Sequence, residues 1–301
     1  MKPEEGFDTS SSMALAQPVS APSELQRLRE IAARMRIDII EMLAKSGSGH
    51  PGGSLSAADI VTCLFFSRMR HDPKRADWPD RDRFVLSKGH AVPVLYAALA
   101  EAGYLPRQEL MTLRQLNSRL QGHPVNTALP GLEACTGALG QGLSVAQGMA
   151  LASKLDGDKF HVYCMIGDGE SQEGQIWEAA MSAPKYKLDT LTVILDNNNG
   201  QIDGHVNEVM SIDPVAAKWR AFNWNVLEID GHDVPQILSA LDEARATKGR
   251  PTFIWAHTVK GKGVSFMENQ IAWHGNAPNA EQAGRALAEL RAQHAKIQEG
   301  R

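Results

Sequence analysis

Two short runs of the sequence combine residue types that can hold a hard cation. Gly167-Asp168-Gly169 follows an apolar stretch, and Asp196-Asn197-Asn198-Asn199-Gly200 follows another about thirty residues later. A glycine on each side of Asp168 lets the backbone turn sharply and leaves room for a ligand against the main chain. Asp168 supplies a carboxylate oxygen, and an asparagine at the neighbouring strand end supplies an amide oxygen. Magnesium takes near-octahedral oxygen ligands and keeps phosphate oxygens and water. One Asp, one Asn, one backbone carbonyl and two diphosphate oxygens would satisfy it. Either run alone reads as a tight turn; at adjacent strand ends, the pair reads as a site.

The histidines form a second set. Six of the ten, His50, His90, His123, His205, His232 and His274, stand next to glycine, where average glycine usage predicts one or two. Imidazole can donate, accept or pass a proton near neutral pH, and glycine-shaped loops place it for contact, although any one of the six taken singly reads as a surface-loop residue. A third feature is Thr136-Gly137-Ala138-Leu139-Gly140-Gln141-Gly142, which opens a small-residue helix. A glycine-rich helix N-terminus offers amides to phosphate oxygens. The spacing is not G-x-G-x-x-G and no strand precedes it, so it is not a dinucleotide fingerprint. Lys260-Gly261-Lys262-Gly263 lacks the rest of a nucleotide-binding loop.

These residues need strands that end side by side. A long amphipathic helix is expected over Ser23–Lys45, with Ser23 as its cap, and a buried helix over Asp59–Phe66. Strands are expected at Phe84–Leu86, Phe160–Ile166, Leu191–Leu195, Asn225–Ile229 and Thr252–His257. Between them lie helices at Val92–Glu101, Gly140–Leu155, Ile176–Tyr186, Pro214–Phe222 and Val234–Ala246, with a last helix from Ala280. Continuous apolar strands alternating with helices predict an α/β fold, a doubly wound, mostly parallel sheet with helices on both faces. Ligands then sit beyond the carboxyl ends of the strands, after Ile166, Leu195 and His257. Residues 1–22, rich in Ser, Pro and Ala, read as a disordered lead, and residues 23–301 as one domain.

Bulk composition narrows the classes. With 43% apolar and 22% charged residues, the 301-residue chain can bury a sizeable core. A formal net charge of −4 points to neither nucleic acid nor a membrane surface. The longest apolar run, Ala91–Ala100, is broken by Pro93 and falls well short of a membrane span of ~18 residues. Cys63, Cys135 and Cys164 form no C-x-x-C pair, which indicates a reducing, cytoplasmic setting.

The pairing of G-D-G with N-N resembles the diphosphate motif of thiamine-diphosphate enzymes. The resemblance implies that Asp168, Asn198 and the Gly200 carbonyl hold Mg2+ (Ca2+ or Mn2+ as substitutes), with Gly167 and Gly169 at the diphosphate and Ile202 packed on the cofactor ring. The sequences around the histidines narrow it to transketolase: Ser48-Gly49-His50-Pro51-Gly52, Asp82 to Ala91 through Lys88-Gly89-His90, Gly122-His123-Pro124 and Trp273-His274-Gly275 are similar to motifs of that family. It implies that His50 and His123 contact the sugar and that His90 and His274 lie nearer the cofactor, leaving His205 and His232 structural. The Gly137 and Leu139 amides would face the cofactor, although the family usually has proline where Ala138 stands. Glu173 and Glu178 match two glutamates that form a buried acidic relay between paired active sites; spacing alone does not set them on one helix face, and without the resemblance they read as solvent-facing. Lys260 is a candidate for a substrate phosphate, with a solvated loop as the equal alternative.

The resemblance covers only the first of the family's domains. The glutamate that activates the cofactor, and the groups that grip the sugar phosphate, belong to a pyrimidine-binding domain whose motifs are not found in this sequence. A separate C-terminal subunit in an α2β2 assembly is therefore expected, the pair transferring a two-carbon ketol unit from a ketose phosphate to an aldose acceptor. The alternatives are the α subunit of a 2-oxo acid dehydrogenase, which lacks the histidine series, and a non-catalytic cofactor-binding subunit.

Overall fold

The computed structural model describes residues 22–300 apart from 158 and 159. The expected disordered lead therefore lies outside the described residues up to position 21. Five strands, β1 (Arg83–Leu86), β2 (Val162–Gly167), β3 (Leu191–Asn197), β4 (Asn225–Asp230) and β5 (Thr252–His257), form one sheet in the order β1-β2-β3-β5-β4. Every pairing is parallel, with Met165 beside Ile194 and Leu195 beside Trp255. The carboxyl ends of β1, β2, β3 and β5 thus lie in a row.

Because side chains alternate across a strand, the apolar runs serve two cores. Phe84, Leu86, Tyr163, Met165, Ile194 and Ile254 face one side. There they meet α1 (Pro22–Ser46), α2 (Pro51–Ser56), α3 (Ala58–Cys63), α4 (Val92–Ala102), α9 (Val234–Ala246) and α10 (Ala280–Gln298). Val85, Val162, Cys164, Ile166, Val193, Leu195 and Phe253 face the other, against α5 (Gln141–Asp156), α6 (Gly174–Lys185) and α8 (Val215–Ala221). Trp219 of α8 stacks on Phe253 with ring centroids 4.0 Å apart, and the Trp224 indole donates to the Ala180 carbonyl at 2.7 Å. The sheet is doubly wound, as its sequence pattern predicts. A one-turn helix, α7 (Val206–Val209), follows the N-N-N-G turn.

Two local features differ from expectation. The helix foreseen at Asp59–Phe66 is α3 continued by a widened turn at Leu64–Arg68. Ahead of it stands α2, fully buried, with Pro51 in its first turn where a missing N–H costs nothing. The long first helix is already formed at Pro22, the first described residue, so Ser23 lies inside it and does not precede it as a cap.

Candidate active site

The turns after β1, β2, β3 and β5 enclose a cavity of about 350 Å³. It is completed by the start of α2, the His123 loop, the glycine loop before α5 and the His274 turn. His50, His90, His123, His274, Gly137, Leu139, Gly167, Asp168, Gly169, Glu173, Asn198, Gly200, Ile202 and Lys260 all line it. Of the candidate site residues, Glu178 alone is not on its wall. His205 accompanies the N-N-N-G turn, its Nδ1 3.2 Å from the Asn199 carbonyl oxygen, and neither it nor His232 lines the cavity.

Glycine sets how closely these loops approach. A Cβ on Gly89 would lie 2.0 Å from the Thr136 carbonyl oxygen, so only glycine lets the K-G-H turn rest on the glycine loop. Gly140 caps α5 at φ +82°, a left-handed conformation that glycine adopts freely.

At one end of the cavity, Asp168 is 3% exposed. Its Oδ1 accepts from the Gly169 amide at 2.8 Å and its Oδ2 from the Asn199 amide. Asn198 Oδ1 accepts from the Gly200 amide at 3.1 Å, and Lys260 Nζ donates to the Gly200 carbonyl at 3.0 Å. Burial, with the nearby Asp196 charge, pushes the Asp168 carboxyl up to about 6. Burial likewise pulls the Lys260 ammonium down to about 8. The protein therefore leaves the Asp168 charge incompletely compensated. Asp168, Asn198 and the Gly200 carbonyl are hard oxygen donors, the set a magnesium ion takes when phosphate supplies the rest. Among the described residues no group of three or more His, Cys, Asp or Glu could hold a metal by itself.

Lys260 is not in a solvated loop, one of its two expected settings. It is 2% exposed and points at the Gly200 carbonyl. Val259, next to it, is held by its N–H donating to His232 Nε2 at 2.9 Å. His232 then carries its proton on Nδ1, which donates to Asp59 at 2.7 Å, and Arg36 clamps the same carboxylate at 2.6 Å.

Three imidazoles meet in the middle of the cavity. The His50–His90, His50–His274 and His90–His274 ring centroids are 5.1, 5.6 and 5.2 Å apart. Burial, then the Arg114, His123 and Lys260 charges, lowers His50 to about 4. Burial and Lys260 lower His274 to about 3, and burial with Lys88 holds His90 well below its ordinary value. The cluster is neutral at physiological pH, each ring offering one donor and one acceptor. The Nδ1 atoms of His50 and His274 are buried without a protein partner. The linkage has a definite sign. His50 stays neutral when folded while the unfolded chain binds its proton below ~6.5, so this share of stability is lost as pH falls from there through about 4. Thermal melts across that window should fall less steeply with acidification in His50→Gln than in the parent; equal slopes would discount the buried neutral ring.

Side chains that the motifs did not single out line or back the walls. Glu170, 3% exposed, accepts from Ser87 Oγ and from the amides of Gly140 and Gly167, both at 2.9 Å. Burial raises its carboxyl against these bonds. Lys88 and Asp196, 1% and 0% exposed, form a buried ion pair behind Asn198. Burial would raise Asp196, but the Lys88 charge and the hydrogen bonds from Lys88, Ser56 and Thr258 hold it below its ordinary value. Asp196 had a signal, since it ends the apolar β3 run; Glu170 had none beyond its place near G-D-G. Glu173 and Glu178 are both exposed in this chain.

The family model described as "Transketolase, thiamine diphosphate binding domain" matches residues 28–295. The chain belongs to the transketolase family. A 6-deoxy-6-sulfo-D-fructose transketolase subunit of a Clostridium species is 47% identical over 251 residues, 83% of this chain and 91% of that one. One of the subunits of the apulose-4-phosphate transketolase of Phocaeicola vulgatus is 42% identical, with 89% and 95% of the two chains covered. The solved transketolase of Campylobacter jejuni superposes with a TM-score of 0.81 at 33% identity over 91% of this chain. The match spans 48% of that structure, so this chain corresponds to about half of a single-chain transketolase.

Proposed function

We propose that this chain is the diphosphate-binding subunit of a split transketolase. It would act with a second polypeptide carrying the pyrimidine-binding domain, in an α2β2 assembly. The observation that carries this reading is the convergence of four histidines, Asp168, Asn198 and the glycine loop on one cavity at four parallel strand ends. Two relatives covered over 91% and 95% of their length are named as subunits, which supports a separate partner.

The residues fit thiamine diphosphate and a divalent cation. Asp168 and Asn198 would hold Mg2+ with the Gly200 carbonyl, while the α5 N-terminus and Lys260 would face the diphosphate. Its burial beside Asp168 favours that role for Lys260 over a substrate phosphate. When bound, the cofactor supplies the electron sink for cleaving and re-forming the carbon–carbon bond. His50 and His123, near the Arg114 charge, orient the ketose carbonyl and hydroxyl groups. His90 and His274, neutral and in contact, donate or accept at the cofactor end. Ile202, 73% exposed, and Leu139, 41% exposed, form an apolar rim for the cofactor ring and the partner. Val145 and Met181 join Glu178 on the exposed faces of α5 and α6, which supports pairing there and a relay through Glu173 and Glu178. The sulfonated and phosphorylated sugars in the relatives' names favour a ketose with an anionic end. Three unbridged cysteines suit the cytoplasm. Among the described residues no helix is long and apolar enough to cross a membrane.

A ketol-transfer assay with magnesium and thiamine diphosphate tests the reading, run on the chain alone and on the complex it forms in its own cells. Transfer is expected only in the complex. Cofactor bound without transfer in either sample would favour the 2-oxo acid dehydrogenase alternative.

A further inference from the structure

The Asn198 amide can present oxygen to a cation in only one of its two orientations, and the surrounding groups select it. Asp196 Oδ2 lies 2.9 Å from Asn198 Nδ2 and can only accept, while the Gly200 amide at Asn198 Oδ1 can only donate. A flipped amide would set its oxygen against the carboxylate and its NH2 against the N–H. Asp196 is itself immobilised. It accepts from Ser56 Oγ of α2 at 2.6 Å, from Thr258 Oγ1 beyond β5 and from Lys88 Nζ beyond β1. Lys88 also donates to the Gly53 carbonyl at 2.8 Å, so its ammonium is engaged behind the site.

We propose that Asp196 is a positioning residue that locks the Asn198 carbonyl oxygen toward the cation, with Lys88 as the buried counter-charge that fixes Asp196. A buried ion pair is weak evidence for stability, since two desolvated charges roughly cancel their attraction. Selection of one amide orientation is a use that an apolar pair could not supply. This inference rests on the metal role proposed above for Asn198.

The test titrates Mn2+ into the assembled two-subunit enzyme with thiamine diphosphate, following free Mn2+ by electron paramagnetic resonance. Asp196→Asn is expected to weaken Mn2+ binding by about 10–100-fold, the usual cost of losing a group that orients a ligand. Adding Asn198→Asp should restore affinity to within about threefold of the parent. A carboxylate at position 198 presents oxygen either way it turns, and the pair keeps its net charge. Unchanged affinity in folded Asp196→Asn, or no recovery in the double variant, would overturn the proposal. If Asp196→Asn fails to fold, Ser56→Ala, which removes one donor to Asp196, should weaken Mn2+ severalfold, and unchanged affinity there counts equally against it. Failure of the parent complex to bind Mn2+ with thiamine diphosphate would instead defeat the proposed function itself.

Discussion

Asp168→Ala is expected to lower magnesium-dependent thiamine diphosphate affinity by more than about 100-fold, beyond the range typical of groups that only orient a ligand. The carboxylate is 3% exposed, and two backbone amides are its hydrogen-bond donors. Burial first, and Asp196 second, push it up to about 6. A divalent cation would supply the missing compensation, so the charge is poised for a ligand and contributes little to the empty fold. Removing it relieves a desolvated charge and leaves the Gly169 and Asn199 amides without that acceptor. These effects oppose each other, and stability should change by no more than about 2 kcal/mol. Calorimetric titration of the cofactor with and without magnesium, beside a thermal melt, separates the two quantities. Cofactor binding equal to the parent's would defeat the metal assignment.

The sheet and the strand-end placing of Asp168 and Asn198 on one cavity were legible because their signals are local. Val193 and Leu195 sit in an unbroken apolar run, which only a strand covered on both faces can use. Asp168 and Asn198 stand at the ends of two such runs, so the strand-end rule located them before their distance was known. The long-range pairings of the side chains around them left no comparable mark. Ser87 and Glu170 are 83 residues apart in the chain, and Lys88 and Asp196 are 108 apart. Nothing local distinguishes a buried lysine in K-G-H from a solvated one. α2 was missed because two glycines depress its helix propensity; burial against the core decides it instead. Lys260 reads equally as a phosphate contact or a solvated loop residue, because its burial depends on residues distant in the chain. Only the folded chain brings Gly200 over its side chain, where a Cβ on Gly200 would lie 2.6 Å from Lys260 Cδ.

Glu170→Ala should give the opposite signature to Asp168→Ala, a large loss of stability together with loss of cofactor binding. One carboxylate joins three segments that meet only at the site, through Ser87 after β1, the Gly140 cap of α5 and Gly167 at the end of β2. Alanine leaves two backbone amides and a hydroxyl without their acceptor, each costing about 1–3 kcal/mol when buried. Three such losses come to about 3–9 kcal/mol, and relief of the desolvated carboxylate together with water entering the gap brings the expected loss to about 3–6 kcal/mol. Glutamine retains one acceptor oxygen but turns an NH2 toward a donor, so it should fall between alanine and the parent. Denaturant unfolding of the three proteins checks this order, and a loss below about 1 kcal/mol in Glu170→Ala would show that the carboxylate does not clamp the loops. Cofactor affinity should follow stability in this series, because Gly140 and Gly167 bring the helix N-terminus and Asp168 to one cavity. In the Asp168 series the two separate. The same loss of cofactor binding thus has two physical origins here, a missing ligand and a missing scaffold, and the unfolding curve tells them apart.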